Sequence, residues 1–468
     1  MATAIVQNGG PLLTRENHLP LKSYASVAAE NDDSVSSHGA EIFTGEGEDT
    51  SNASPHRNLH TRPKSVETNG SLKDGKTEKV VVERYVDKEG EHLVSLGPVQ
   101  ELEEKKPFTA RRRNSELLSG RKAGARWERS HIRFAPLSVP IKRRLQTLLV
   151  LAHTLSIAGL LAAFFFLCSI PLFWPILLPY IIFILFSNAG ESGTLRHRSN
   201  FLRSLPIWSL FASYYPARLH RSEPLPPTRK YIFGYHPHGI ISHGAFAAFA
   251  TEALGFSQLF PGITNTLLTL DSNFRVPFYR DYALAMGLAS VSRESCENLL
   301  SKGGQNGEGM GRAITIVVGG AAESLDAQPG LLKLVLRKRK GFVKLAIRTG
   351  ADLVPTLAFG ENDLYDQVDP EQHPFIHKGQ LVVKKLFGFT VPLFHARGVF
   401  NYDYGMMPYR RPVNVVVGKP IKVQYASEPK EAYVNEIHER YIQELERIWG
   451  AWKDEFAWDR KSELEIVE

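Results

Sequence analysis

Short apolar runs and longer mixed stretches alternate along the second half of the chain. The apolar runs have the length and composition of buried strands and are Tyr231–Tyr235, Thr266–Leu270, Ala313–Val318, Leu353–Leu357 and Val413–Val417. Helix-like stretches separate several of them, namely Ser242–Leu254, Arg293–Leu300, Gly341–Arg348 and Tyr433–Trp452. This alternation predicts an α/β domain with flanking helices around a mainly parallel sheet, over residues 191–468.

A continuous apolar stretch precedes that domain. From Leu145 to Phe186 there are 42 residues without Asp, Glu, Lys or Arg. As one helix it would be about 60 Å long, twice the ~30 Å thickness of a bilayer core. Three prolines interrupt its second half, and basic residues flank both ends. We therefore predict a membrane-embedded helical hairpin that turns near Ser169–Pro175, with both ends on the cytosolic side. A re-entrant wedge in one leaflet, or a buried helical pair of a soluble protein, would have the same composition.

The N-terminal part of the chain has a different composition. Residues 1–125 are poor in aromatic residues and rich in Ser, Glu, Asn, Gly and Lys, which predicts a disordered polar tail. Between Lys105 and Arg144 thirteen Lys and Arg stand against two Glu. We interpret this as a basic juxtamembrane segment, so that residues 126–190 comprise the end of that segment and the hairpin.

Charge and cysteine content indicate which partners and which kinds of site are expected. The net charge is +7 and the pI about 9.1, which favours an anionic partner. Nucleic acid is disfavoured because the basic run abuts an apolar membrane segment. Cys168 and Cys296 are the only cysteines and have no metal-type spacing, so neither a disulfide framework nor a metal site is expected.

The first candidate for chemistry is the sequence His236-Pro-His-Gly239. It ends the strand-like run Tyr231–Tyr235, because Pro237 cannot donate to a ladder and Gly239 frees the backbone. Neutral imidazole is suited to taking a proton from a hydroxyl near pH 7. We predict that His238 is the base and that His236 shapes the site or hydrogen-bonds a neighbour, although a purely structural role for both is the alternative.

The second candidate is a carboxylate that follows another strand. The run Ala313–Val318 leads into Gly319-Gly320 and then Glu323. The carboxyl ends of parallel strands share one edge of a sheet, so Glu323 is expected near the histidines. There it would orient the imidazole, as the third member of a triad does; the alternative is an exposed loop glutamate. The N–H groups of Gly239, Gly319 and Gly320 are candidate oxyanion donors.

The third candidate is a cluster of cations. Arg337–Lys340 stand immediately before a predicted helix on which Lys344 and Arg348 share one face. Cations beside a helix N-terminus suit a phosphate-bearing ligand. A solvated basic face is the alternative.

Residues 134–468 also resemble a known family, the type-2 diacylglycerol O-acyltransferases, which include monoacylglycerol and wax-alcohol acyltransferases. The stretches that carry the resemblance are His236-Pro-His-Gly239, Asn273-Phe-Arg-Val-Pro-Phe-Tyr279, Val317-Val-Gly-Gly-Ala-Ala-Glu-Ser-Leu325, Arg339-Lys-Gly-Phe-Val-Lys344, and Gly350-Ala-Asp-Leu-Val-Pro355 through Phe359-Gly-Glu-Asn362. Ala135-Pro-Leu-Ser-Val-Pro140 through Arg144-Leu-Gln-Thr147, with the polar tail, is most similar to fungal members.

The resemblance implies a glycerolipid-acyltransferase-like fold and the transfer of an acyl chain from acyl-CoA, a co-substrate, to diacylglycerol without another cofactor. It further implies a location in the endoplasmic reticulum membrane, with lipid droplets as a second surface. His236 and His238 would be essential, Glu323 would be the motif glutamate, and Arg339, Lys340 and Lys344 would meet the CoA phosphates. The sequence leaves open a monoacylglycerol or long-chain-alcohol acceptor, a non-catalytic droplet protein, and homo-oligomerisation.

Two departures from the expected pattern bear on the site. Tyr214-Tyr215-Pro216 stands where the family has Tyr-Phe-Pro. The wider glycerolipid acyltransferases have His-x4-Asp, but the residue five positions after His238 is His243. A His-Asp dyad is therefore not expected, which makes Glu323 the predicted partner of His238.

Overall fold

The computed structural model describes residues 83–87, 90–98, 132, 134–136, 138–368, 373–387 and 392–467. Most of the predicted polar tail, and the basic segment up to residue 131, lie outside these residues. The helices are α1 (Ile141–Thr154), α2 (Ser156–Cys168), α3 (Trp174–Phe186), α4 (Asn200–Arg203), α5 (Ile207–Tyr214), α6 (His243–Ala245), α7 (Phe256–Leu259), α8 (Tyr279–Ala285), α9 (Arg293–Ser301), α10 (Gly320–Leu325), α11 (Gly341–Thr349), α12 (Pro374–Phe387) and α13 (Glu431–Phe456).

Thirteen strands are present in the described residues. They are β1 (Glu83–Val86), β2 (His92–Leu96), β3 (Arg218–Arg221), β4 (Tyr231–His236), β5 (Thr264–Thr269), β6 (Ala289–Ser290), β7 (Arg312–Val317), β8 (Lys333–Val335), β9 (Asp352–Phe359), β10 (Asp366–Gln367), β11 (Phe394–His395), β12 (Asn414–Val417) and β13 (Glu465–Val467). Nine of them form the main sheet, in the order β1-β2-β3-β12-β9-β4-β7-β5-β6.

The centre of this sheet is parallel, as the sequence pattern predicted. Strands β9, β4, β7, β5 and β6 run in one direction, whereas β12 pairs antiparallel to β9. Both faces of the sheet are covered. Along β4, Tyr231, Phe233 and Tyr235 pack into one apolar cluster and Ile232 into the other. Helices α11 and α13 cover the second face, while α5 and the segment after β4 cover the first. The protein is therefore a mixed α/β domain with a core on each side of the sheet.

Part of the segment predicted as a disordered tail is folded. Strands β1 and β2 form a hairpin, and β2 pairs antiparallel to β3, which extends the main sheet. Leu93 and Leu96 are buried, and Glu91 forms ion pairs with Lys419, at 2.5 Å, and with Arg447. So few apolar side chains cannot form a core of their own, which is why composition predicted disorder. They are buried against a sheet built by residues far along the chain.

The predicted helix Ser242–Leu254 is shorter than expected. After α6, Phe246–Ala250 forms a wider π-helical turn, and Thr251 has extended backbone. Thr251 Oγ1 donates to the carbonyl of Ala247 at 2.7 Å, at the point where the helical backbone ends. The other predicted helices and strands agree with the structure to within a few residues.

The long apolar stretch forms three helices. Helices α1 and α2 meet at a 67° bend, and the chain then turns through a 3₁₀ helix at Pro171–Phe173 into α3. In the described part of the chain no single helix is long and apolar enough to cross a membrane, although the bent pair of α1 and α2 meets the length and composition criteria together. Many apolar side chains of α2 and α3 face outward, among them Phe166, Ile176 and Phe186.

Polar contacts fix α3 to the α/β domain. Tyr180 Oη donates to the carboxylate of Asp281 and accepts from the N–H of Phe278 at 2.7 Å. The buried Arg280 donates to Ser187 Oγ at 2.8 Å, and its guanidinium carbon lies 5.2 Å from the centre of the Phe183 ring. The Asn273–Tyr279 stretch and the residues just after it are thus where α3 docks.

Candidate active site

Three loops meet at one edge of the parallel sheet. Strands β9, β4 and β7 are neighbours and run parallel, so their carboxyl ends lie side by side. His236 is the last residue of β4, Gly319 follows β7, and Glu361 follows β9. This is the edge at which α/β proteins commonly hold their ligands, and all three loops contribute to the candidate site.

His236 is fully buried and serves as an internal anchor. Its Nε2 lies 3.0 Å from Tyr441 Oη, and that hydroxyl donates to the carbonyl of Gly234 at 3.0 Å. Because the hydroxyl has one proton and gives it to Gly234, the proton between the two side chains belongs to His236 Nε2. Burial lowers the pKa of His236 to about 3, so the ring is neutral. Enclosed in this way, His236 has no access to a substrate.

His238 is half-buried and has the tautomer that a base needs. Its Nδ1 lies 3.0 Å from the carbonyl of Gly239, an acceptor, so Nδ1 carries the proton and Nε2 the lone pair. Ser242 Oγ donates to the carbonyl of His238 at 2.7 Å and closes the loop. Burial lowers the pKa of His238, which keeps Nε2 unprotonated near neutral pH. The two predicted histidines therefore occupy different environments, and of the two it is His238 that can meet a substrate.

Glu323 joins two main-chain segments. Its Oε2 accepts from the N–H of His238 at 2.7 Å and its Oε1 from the N–H of Val335 at 3.1 Å. The sequence predicts that this carboxylate lies beside the histidines, as it does, and that it bonds the imidazole. In the structure it holds the main chain of His238 instead. Burial raises the pKa of Glu323 to about 7, although both N–H groups favour its ionised form.

The four supporting residues named from the sequence line this arrangement. Pro237 and Gly239 complete the buried turn around His238. Gly320 begins α10, and Gly319 caps it. A β-carbon on Gly319 would overlap the carboxylate of Glu323, so a side chain there would displace the contact with His238.

A second buried carboxylate, Glu361, lies on the other side of the histidine loop. Its Oε2 accepts from Tyr235 Oη at 2.8 Å and from the N–H of Gly244 at 2.9 Å. A β-carbon on Gly239 would lie 2.8 Å from its Cγ, which shows how closely it packs under the loop. Burial raises the pKa of Glu361 to about 7. The sequence placed this residue in a family stretch without a role; its position just after β9 was the available signal.

His243 stands apart from the catalytic candidates. It is fully buried, and its Nε2 lies 2.8 Å from Tyr365 Oη. Its ring stacks between Tyr215 and Tyr365. The position that would carry an aspartate in the wider acyltransferases is thus part of an aromatic stack, in agreement with the absence of a His-Asp dyad.

The basic segment lies between β8 and α11, close to Glu323. Arg337 and Lys338 are exposed, and Arg339 is near enough to Glu323 to favour its ionised form. Lys340 donates to Asn435 at 2.7 Å, and Lys344 lies 3.2 Å from the carboxylate of Glu431. Since Val335 of β8 is bonded to Glu323, this segment is connected to the His238 loop through one side chain.

Other catalytic groups find little support in the described residues. No group of three or more His, Cys, Asp or Glu there has the geometry of a metal site. Cys296 is buried, which raises the pKa of its thiol and disfavours a thiolate nucleophile.

The family model described as "Diacylglycerol acyltransferase" matches residues 165–467, which include both histidines, both buried carboxylates and the basic segment. The chain belongs to the diacylglycerol acyltransferase family.

Relatives in this family include Diacylglycerol O-acyltransferase 2A of Umbelopsis ramanniana, 49% identical over 340 residues that cover 72% of this chain and 94% of that protein. Diacylglycerol O-acyltransferase 1 of Schizosaccharomyces pombe is 46% identical, over 69% of this chain and 91% of the relative. The 2-acylglycerol O-acyltransferase 1 of Bos taurus is 43% identical, over 63% and 87%.

A solved structure was also matched, that of the 1-acyl-sn-glycerophosphate acyltransferase of Thermotoga maritima. It is 14% identical and has a TM-score of 0.31, over 65% of this chain and 97% of the other. A similarity at this level carries no argument about fold or function.

Proposed function

We propose that this protein is an acyl-CoA-dependent diacylglycerol O-acyltransferase that forms triacylglycerol. Membership of the family and the names of relatives at 46–49% identity support the reaction. The single observation that supports the chemistry is the state of His238. It is half-buried at a sheet edge, with Nδ1 bonded to the Gly239 carbonyl and Nε2 left as the basic atom.

In the proposed mechanism His238 Nε2 takes the proton of the free hydroxyl of diacylglycerol. The oxygen attacks the thioester carbonyl, and an oxygen–carbon bond forms. The carbon–sulfur bond then breaks, and the CoA thiolate recovers the proton from the imidazolium. Desolvation of His238 favours the return of this proton. Glu323 keeps the loop in place through the N–H of His238, and N–H groups of Gly239, Gly319 and Gly320 are the oxyanion donors we propose.

The basic segment is the proposed site for the CoA phosphates, with Arg339, Lys340 and Lys344 as ligands. Its link to Glu323 through Val335, which connects it to the His238 loop, supports this proposal. The adjoining N-terminus of α11, a helix of nine residues, adds the positive end of a helix dipole. Binding requires Lys340 and Lys344 to exchange their present partners, Asn435 and Glu431, for phosphate oxygens.

The apolar helices are the proposed membrane anchor, as a hairpin or a re-entrant wedge in the endoplasmic reticulum membrane or on lipid droplets. Outward-facing Phe, Ile and Leu side chains on α2 and α3 support this. Diacylglycerol would reach the site from the bilayer along this anchor.

An acceptor assay tests the proposal. Membranes carrying the protein are given radiolabelled acyl-CoA with diacylglycerol, 2-monoacylglycerol or a long-chain alcohol, and the products are separated. We expect triacylglycerol as the main product. His238→Ala should lower its formation by about 10²–10⁴-fold at equal expression, whereas His373→Ala, an exposed histidine, should not.

Three results would contradict the proposal. Full activity of His238→Ala would exclude His238 as the base. A product mainly from monoacylglycerol would favour the acceptor named for the Bos taurus relative, and no CoA release at all would favour a non-catalytic coat protein.

A further inference from the structure

Tyr441 lies at the base of the histidine loop but comes from the C-terminal helix α13. Its side chain is fully buried, and its ring packs edge-on against Phe342 with centres 4.8 Å apart. Its hydroxyl makes two hydrogen bonds, both to β4: it accepts from His236 Nε2 and donates to the Gly234 carbonyl, each at 3.0 Å. One oxygen atom thus bonds to two of the last three residues of β4, the strand that leads into the histidine loop.

The absence of a side chain at Gly234 leaves the space that the Tyr441 hydroxyl occupies against β4. A glycine in the middle of a buried strand is unfavourable and commonly marks a close approach by another group. A β-carbon at Gly234 would overlap the hydroxyl of Tyr441. The glycine that interrupts the apolar run Tyr231–Tyr235 is therefore the position into which Tyr441 fits.

The same helix also holds the basic segment. His438 Nε2 bonds to the carbonyl of Leu336 at 3.1 Å, and Asn435 accepts from Lys340 at 2.7 Å. Asn435, His438 and Tyr441 are spaced by three residues and share one face of α13. This face contacts the basic segment at one end and β4 at the other.

We propose that Tyr441 is a positioning residue for acyl transfer: its hydroxyl fixes His236 and the end of β4, and thereby sets the place of His238. The inference rests on the proposed function, in which His238 acts as the base. Tyr441 itself is enclosed and touches no substrate. Without the hydroxyl, His236 Nε2 has a buried proton and no acceptor, and its ring must move to find one. Since Pro237 alone separates the two histidines, that movement reaches His238.

Tyr441→Phe tests this by removing one oxygen and keeping the ring. Variant and wild type are purified in detergent, and kcat and KM for acyl-CoA are measured per mole of protein in the folded, monodisperse peak. We expect kcat to fall about tenfold or more, as misplacement of a catalytic group does, with KM within about twofold. Tyr433→Phe, on the same helix but bonded to the N–H of Gln424, is the matched control and should keep both constants.

Gly234→Ala gives an independent route to the same defect. It leaves Tyr441 intact but pushes its hydroxyl away from β4, so its kcat should fall as well. The proposal is overturned if Tyr441→Phe keeps kcat within twofold, or if its loss appears entirely in KM. His238→Ala, measured in parallel, separates the two proposals. If His238→Ala stays active, His238 is not the base. If His238→Ala is inactive while Tyr441→Phe is active, only the proposed role of Tyr441 is contradicted.

Discussion

The carboxylate of Glu323 holds the main-chain N–H of His238 at 2.7 Å rather than its imidazole. The arrangement differs from a catalytic triad, in which the carboxylate bonds the ring and stabilises its charged form. Here the ring is oriented by the Gly239 carbonyl, and Glu323 connects the loop to β8. The carboxylate therefore acts on the position of the base more than on its basicity.

This predicts the effect of Glu323→Gln. The amide can accept from one of the two N–H groups, but its own NH₂ then faces the other. We expect kcat to fall at least about tenfold because the His238 loop moves. The loss should be largest above pH 7, where the wild-type carboxylate is ionised, and smaller at lower pH, where protonated Glu323 has the same charge as the amide. Glu297→Gln, an exposed glutamate, is the control. Full activity of Glu323→Gln at pH 8 would contradict this account.

Gly319→Ala should reproduce that defect without touching a polar group. A β-carbon there would overlap the Glu323 carboxylate and force it away from His238. We expect activity as low as that of Glu323→Gln, measured in the same assay. Gly450→Ala is the matched control: it lies inside α13 with open space around its Cα, so alanine there should preserve activity and add up to about 1 kcal/mol of stability. An active Gly319→Ala would mean that Glu323 can relocate at no cost.

The sequence predicted the parts of the fold that depend on local pattern. Apolar runs located the central strands, and the parallel arrangement correctly brought the residues after β4 and β7 together at one edge. The β1–β2 hairpin was missed because its few apolar residues are buried only in the folded sheet, where β2 pairs with β3, more than a hundred positions away. Strands β8 and β13 were missed for a similar reason, since each is three residues long and pairs with the other.

The sequence predicted the candidate residues of the site better than it predicted the contacts between them. His236, His238 and Glu323 could be chosen by residue type and by their positions after strands. Which histidine is enclosed depends on Tyr441, two hundred residues later, and no periodicity indicates that contact. The role of Glu361 likewise depends on Tyr235 and Gly244, which it meets only in the folded sheet.

The basic segment should contribute to acyl-CoA affinity through charge. Replacing Arg339, Lys340 or Lys344 by Gln is expected to raise KM for acyl-CoA several-fold, with a smaller effect on kcat, because each change removes a cation from the proposed phosphate site. The effect should shrink as ionic strength rises, since exposed charges are screened. Lys422→Gln, an exposed lysine outside the segment, serves as the control. A salt-independent KM, or an equal effect of Lys422→Gln, would contradict a phosphate site here.

Glu361 should make the folded state less stable as pH rises. Its pKa is about 7 in the folded protein and 4.5 ordinarily, so between these values the folded state binds the extra proton. The protonated Glu361 side chain contributes its full stabilisation of the folded state below pH 4.5, and this contribution is lost as the pH rises through 7. Glu361→Gln cannot ionise, so it should match the wild type near pH 4 and exceed its unfolding free energy by on the order of 2 kcal/mol at pH 8. Thermal unfolding in detergent at both pH values measures this. His236, with a pKa of about 3, titrates in both proteins alike and cancels in the comparison. A variant that is less stable than the wild type at pH 8 would show that the ionised carboxylate is needed by its Tyr235 and Gly244 partners.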